Sequence, residues 1–171
     1  MTNAEPVTTL DSRYSSPDAT AVPWTNASQS LAAAGIYWLS TVRPDGRPHV
    51  TPLIGVWVDD SFVFCTGADE RKARNLAGNA HCVITTGCNS LDAEGLDVII
   101  EGDAKRVQDV AVLQRIADAY DEKYGSDWHF TVENGALVGA MGNVAAVFQI
   151  TPQTAFGFGR GATSSQTRWS F

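Results

Sequence analysis

Three observations predict a mainly β fold, a small closed barrel with peripheral helices. Short β-branched and aromatic runs follow one another with Gly, Pro and Asp turns between them, the order of antiparallel hairpins. One long segment carries a strong helical stripe. The alternation of strand and helix that marks a doubly wound parallel sheet is missing. At 171 residues the chain reads as one domain, residues 25–171, with a flexible arm over residues 1–24. The arm is rich in Thr, Ser, Asp and Pro with little apolar pattern, so it orders only if something holds it.

The elements follow in order. Residues 27–34 are Ala-rich and helix-prone, and Gly35 stops them. Residues 36–42 read as a strand, 43–48 (Arg-Pro-Asp-Gly-Arg-Pro) as a turn, and 49–58 as a second strand. Asp59 and Asp60 turn the chain into a strand over 62–66, and a short helix follows. Residues 81–86 form the next strand. Residues 96–107 alternate, with Val98, Ile100 and Gly102 on one side and Glu101, Asp103 and Lys105 on the other. From Asp109 to Tyr124 the spacing predicts an amphipathic helix. Leu113, Ile116, Ala117, Tyr120 and Tyr124 share one stripe, and Gly125 stands at the stop. Residues 126–142 read as irregular. Strands over 144–151 and 153–159 complete a barrel of about six strands.

A net charge of −7 argues against general nucleic-acid or membrane-surface binding. No signal-peptide pattern or bilayer-spanning apolar run is seen, so the chain reads as cytoplasmic. Three cysteines, Cys65, Cys82 and Cys88, have neither disulfide-framework nor zinc spacing. Cys65 and Cys82 read as small buried hydrophobes. No metal site is expected. The histidines His49, His81 and His129 are isolated, and no nucleophile–base pair stands out, so no catalytic residue is assigned.

Against the negative balance, three of the twelve Lys and Arg fall together, at Arg71, Lys72 and Arg74. They follow a strand-like run ending in Cys65-Thr66-Gly67 and open a helix. Cations are unfavourable in a first helical turn, where the dipole is already positive. A bound anion explains them, since a helix start is an anion site. The alternative is that Asp69 and Glu70 cap the helix while the cations point into water. The tail also concentrates aromatic and cationic residues, with Phe156, Phe158 and Arg160 followed by Arg168, Trp169 and Phe171. One reading packs Trp169 and Phe171 in a last strand. The other sends the tail to a partner subunit, where Arg168 and Trp169 line a cofactor pocket.

With these residues on the page, the chain resembles the pyridoxamine 5′-phosphate oxidase-like split-barrel flavoproteins over roughly residues 30–160. The matching features are Leu39-Ser40-Thr41-Val42, the run from Gly46 to Pro52, the segment from Phe64 to Lys72, and Val83-Ile84. The resemblance implies a split β-barrel working as a homodimer with the cofactor between subunits. It implies that Thr66, Arg71 and Lys72 hold the phosphate of flavin mononucleotide (FMN) or a related deazaflavin, with Thr51 and Pro52 beside the ring or ribityl chain. True pyridoxamine phosphate oxidases carry an arginine and then a lysine where this chain has Thr51 and Val56. Pyridoxamine phosphate oxidation is therefore not expected. The helix from Arg71 to Leu76, with Arg74 as a third cation, and the Thr-Arg-Trp tail resemble the branch that uses coenzyme F-420. The implied activity is hydride transfer between reduced F-420 or FMN and a small unsaturated organic substrate. The competing implication is a non-catalytic flavin, haem or tetrapyrrole storage protein of the same fold.

Overall fold

The computed structural model describes residues 5–87 and 94–171. Cys88 lies outside the described residues. Eleven strands and three α-helices occur among the described residues, and every strand pairing is antiparallel. The strands are β1 (Val7–Leu10), β2 (Tyr37–Val42), β3 (Pro48–Leu53), β4 (Val56–Val58), β5 (Ser61–Thr66), β6 (His81–Thr86), β7 (Gly95–Val107), β8 (Phe130–Glu133), β9 (Ala136–Gly139), β10 (Val144–Arg160) and β11 (Ser165–Ser170). The helices are α1 (Trp24–Ala33), α2 (Arg71–Gly78) and α3 (Val110–Tyr124).

The main path runs β1-β11-β10-β7-β6-β2-β3, with β5 and β4 and the β8–β9 hairpin branching from β10. The pairing does not close into one ring, so the barrel is split rather than closed. The long strand β10 creates the split. Its first half pairs with β5, from Ala146↔Thr66 to Ile150↔Phe62, and its second half pairs with β11. Between the two the register against β7 shifts at Pro152/Thr154. Proline cannot donate to a ladder, and an extra residue bends the strand there. The sequence places two strands on either side of Pro152; the structure bends one.

Two further expectations are corrected. Residues 49–58 are not one strand, because β3 and β4 are separated at Ile54 and Gly55. Gly55 lies against Phe62 so closely that a Cβ would sit 2.8 Å from the Val63 carbonyl oxygen. Residues 126–142 are not irregular. They hold the β8–β9 hairpin, turned by Asn134 and Gly135 with φ of +50° and +73°. Asn-Gly is the dipeptide that a two-residue hairpin turn favours.

The arm is held at several points along the C-terminal strand and the residues before it, through Asp11, Ser15, Ser16 and Val22 as well as a strand pairing. Val7–Leu10 pairs with β11 from Val7↔Ser170 to Leu10↔Thr167. The Trp169 indole N–H donates to the Val22 carbonyl at 3.1 Å.

Strand alternation sorts the main sheet into two faces. Leu39, Ile84, Ile100, Ala155 and Trp169 form one inner row across five strands, all with zero exposure. Ala27 and Leu31 of α1 join this core. The stripe on α3 packs as expected. Leu113, Ile116, Ala117 and Tyr120 are buried against Val56, Val63, Phe130, Leu137 and Val147. Complete burial of Leu113 and Ile116 contributes roughly 1.5–3 kcal/mol each. Asp109 caps α3 by accepting from the Val112 N–H at 3.0 Å. Among the described residues no helix is long and apolar enough to cross a membrane.

Candidate anion and ring site at the start of α2

β5 is buried along nearly its whole length, and this rigid strand delivers Thr66 to the start of α2. The Thr66 hydroxyl is buried and makes no hydrogen bond of normal geometry, although it lies close enough to the Glu70 carboxylate to favour its charged form. A buried polar group normally finds a partner, so this hydroxyl points to a missing acceptor or donor. The chain then turns through Gly67, with the Glu70 N–H bonded to the Gly67 carbonyl at 3.1 Å. Glu70 is the residue before α2, yet its side chain makes no capping bond to the helix. It folds back instead. One carboxylate oxygen accepts from the Gly67 N–H at 3.0 Å, and the other pairs with the Lys72 ammonium. The capping alternative for Asp69 and Glu70 is thus corrected, since the first N–H groups of α2 keep no side-chain cap.

Lys72 is mostly covered and turned toward Glu70, whereas Arg71 and Arg74 are exposed. Three residues apart, Arg71 and Arg74 share one side of the helix. Burial raises the Glu70 pKa, but Lys72, the Gly67 N–H and the nearby Thr66 hydroxyl outweigh it and hold the carboxyl below its usual range. The same cations reach β3. Burial, then Arg43, Arg71 and Lys72, push the His49 imidazole below its ordinary value, which keeps it neutral near pH 7.

Behind the helix start, α2 is anchored by Asn75. Its amide donates to the Thr41 hydroxyl of β2 at 2.9 Å, while its own carbonyl oxygen is buried without a partner. Beside Lys72 opens a depression of about 400 Å³, lined by Ile36, Pro52, Leu53, Ile54, Cys65 and Trp128. It is apolar apart from the ammonium and the thiol, and burial pushes the Cys65 pKa up, so the thiol stays neutral. An anion at the start of α2 would meet free N–H groups and two cations. A flat apolar group beyond it would lie along Pro52, Leu53 and Ile54.

The structure therefore brings together Pro52, Thr66, Arg71 and Lys72, with Arg74 on the same helix. Thr51 is half-buried on the other face of β3 from Pro52, opposite Leu39, and its hydroxyl donates to the Pro52 carbonyl at 3.3 Å. Arg168 and Trp169 do not join them within one chain. As neighbours in β11 they face opposite sides of the sheet. Trp169 is wholly buried, edge-on to Trp24 at 5.4 Å, which places it with the last-strand reading of the tail. Arg168 lines a separate depression of about 590 Å³ with residues 9–14 and Phe156. Sequence reasoning missed Asn75, Cys65, Leu53, Ile54, Ile36 and Trp128 as site residues. An Asn beside Leu76 on a short helix was the available signal for the first. No group of His, Cys, Asp and Glu able to hold a metal occurs among the described residues.

Residues 24–157 match the pyridoxamine 5′-phosphate oxidase family. The chain belongs to that family. It is 37% identical over 83 residues to a pyridoxine/pyridoxamine 5′-phosphate oxidase of Gluconobacter oxydans (strain 621H); the match covers 48% of this chain and 38% of the relative. The fold resembles that of a heme binding protein from Mycobacterium smegmatis, with TM-score 0.63, 17% identity, and 81% of this chain against 55% of that one. It also resembles an FAD binding protein from the same organism, with TM-score 0.61, 16% identity, and 82% against 98%.

Proposed function

We propose that the protein is an oxidoreductase that holds a flavin or deazaflavin at the start of α2, with coenzyme F-420 favoured over FMN. The buried, unpartnered Thr66 hydroxyl beside an uncapped helix start carries this reading, because a phosphate oxygen would satisfy it. Thr66, Arg71 and Lys72 would hold the phosphate, and Arg74 would add charge at the rim. Pro52, Leu53 and Ile54 would lie against the ring. A bound reduced cofactor of this class supplies hydride to an electron-poor unsaturated bond of a small organic substrate. The chain's own residues bind it, orient it and exclude water. Membership of the oxidase family and the FAD-binding neighbour support a flavin-type group. The absence of cations at Thr51 and Val56 supports a cofactor other than FMN in its usual oxidase setting.

The same reading places two copies face to face as a homodimer, with Arg168 of one subunit free to reach the partner's cofactor. Its support is the outer row Pro52, Trp38, Thr85, Ile99 and Phe156, in which Trp38 is 44% exposed. Such an interface buries on the order of 2,000 Å². Sedimentation at micromolar concentration should show a dimer, and a monomer would remove this part.

A storage protein that binds haem or flavin without turnover is the second reading, supported by the heme-binding neighbour. Separate absorbance titrations with FMN, coenzyme F-420 and haem, followed by turnover of the bound reduced cofactor with a test acceptor, decide between them. Binding of F-420 with acceptor reduction supports the oxidoreductase. Haem binding alone, or binding without reduction of any acceptor, supports storage.

A further inference from the structure

The turn that leads into α2 already holds an anion, and that anion belongs to the chain. The Glu70 carboxylate takes the Gly67 N–H with one oxygen and the Lys72 ammonium with the other. The unpartnered Thr66 hydroxyl lies alongside, 4% exposed. The remaining cations, Arg71 and Arg74, are exposed, and no carboxylate pairs with either among the described residues. These are the donors that a phosphate entering the site would use.

We propose that Glu70 is an internal competitor for the phosphate seat, and that it narrows the preference the surrounding cations give a doubly charged phosphate monoester over a singly charged phosphodiester. This rests on reading the start of α2 as the phosphate seat. A ligand that takes Lys72 and the Gly67 N–H displaces the carboxylate but cannot remove it, because Glu70 is tied to the turn by its own backbone. The displaced charge stays beside the ligand. Displacement costs every phosphate the same, whereas the residual repulsion grows in proportion to the ligand's charge. The attraction of the cations grows with ligand charge in the same way, so the carboxylate offsets part of what the second negative charge gains. Lys72 alone, paired with Glu70, presents little net charge; the attraction comes from Arg71 and Arg74.

The test compares Glu70→Gln with wild type at pH 8, where a phosphate monoester is a dianion. Three probes share one ring: riboflavin, riboflavin 4′,5′-cyclic phosphate and FMN, with charges of zero, one and two. Binding is followed by flavin fluorescence at fixed ionic strength. The amide keeps the acceptor for the Gly67 N–H and removes the charge. Riboflavin affinity should be unchanged, the cyclic phosphodiester should gain about threefold and FMN about tenfold. Equal gains for the two phosphates, or none, while Arg71→Ala still weakens FMN, would overturn the role of Glu70 and leave the phosphate seat standing. Phosphate binding insensitive to both Arg71→Ala and Glu70→Gln would remove the seat itself.

Discussion

Thr66→Val separates what the α2 start does for stability from what it does for binding. Thr66 is 4% exposed, and its buried hydroxyl makes no hydrogen bond of normal geometry. Burying a hydroxyl without a partner costs roughly 1–3 kcal/mol by the standard of mutational data. Valine has nearly the same volume and suits a strand as well as threonine does, and Thr66 is the last residue of β5. Removing the hydroxyl should therefore stabilise the cofactor-free protein by about 1–2 kcal/mol. For a chain of this size that raises Tm by roughly 2–8 °C. The same change removes a hydrogen bond to a charged phosphate, so affinity for a phosphorylated cofactor should fall about tenfold. Differential scanning calorimetry without ligand and flavin titration with ligand read the two effects on one sample. A Thr66→Val protein that melts lower than wild type would refute the reasoning, since the hydroxyl would then have a partner in the fold.

Two further outcomes follow from contacts beyond the site. Gly55→Ala should lose about 1–3 kcal/mol in urea unfolding, because the new methyl meets the Phe62 ring and the Val63 carbonyl; wild-type stability would show that the β3–β4 corner yields. Lys123 donates to the Tyr37 hydroxyl at 2.7 Å and to the Gly55 carbonyl at 3.1 Å, and burial lowers its pKa to about 8. Between pH 8 and the unfolded value of 10.5 the unfolded chain binds more protons at this lysine, so its contribution to stability rises with pH there. Tyr37, Tyr124, Cys65 and Cys82 are all shifted upward, with burial the largest cause, and pull the other way at the alkaline end. The difference between wild type and Lys123→Met isolates the lysine. That difference should grow from pH 8 to 10, and a flat difference would remove the lysine's role.

The parts of the fold legible in the sequence are those set by one element's own periodicity. The β7 run and the α3 stripe have the predicted residues on the predicted faces, because burial of one face fixes each pattern. Gly55 and Pro152 were not legible as a break and a bend. Their effect depends on Phe62 and on the neighbouring strands, which sequence spacing does not place. The Asn134-Gly135 dipeptide is a legible turn, but the weakly patterned residues around it hide the hairpin. At the site, the cationic cluster was visible because it violates helix-dipole preference. Asn75 meeting Thr41, thirty-four residues earlier, required the packing of α2 on β2. The fold-back of Glu70 was equally hidden, as its position suggested a helix cap. Adjacency in the sequence groups Arg168 with Trp169, and the two-residue period of β11 separates them.

Cofactor affinity of Arg71→Ala and Lys72→Ala, measured beside the melting temperature of each cofactor-free protein, tests the central claim most directly. Each cation is expected to give one charge-assisted bond of about 1.5–3 kcal/mol to the phosphate. Either substitution should weaken F-420 or FMN binding about tenfold or more. The cofactor-free melting temperature should hold nearly steady in Arg71→Ala, whose side chain is exposed at an unfavourable end of the helix dipole. In Lys72→Ala it should fall only slightly, because the partly exposed ion pair with Glu70 is a weak contributor. Unchanged affinity in both variants would contradict the phosphate seat and the flavin-type function built on it.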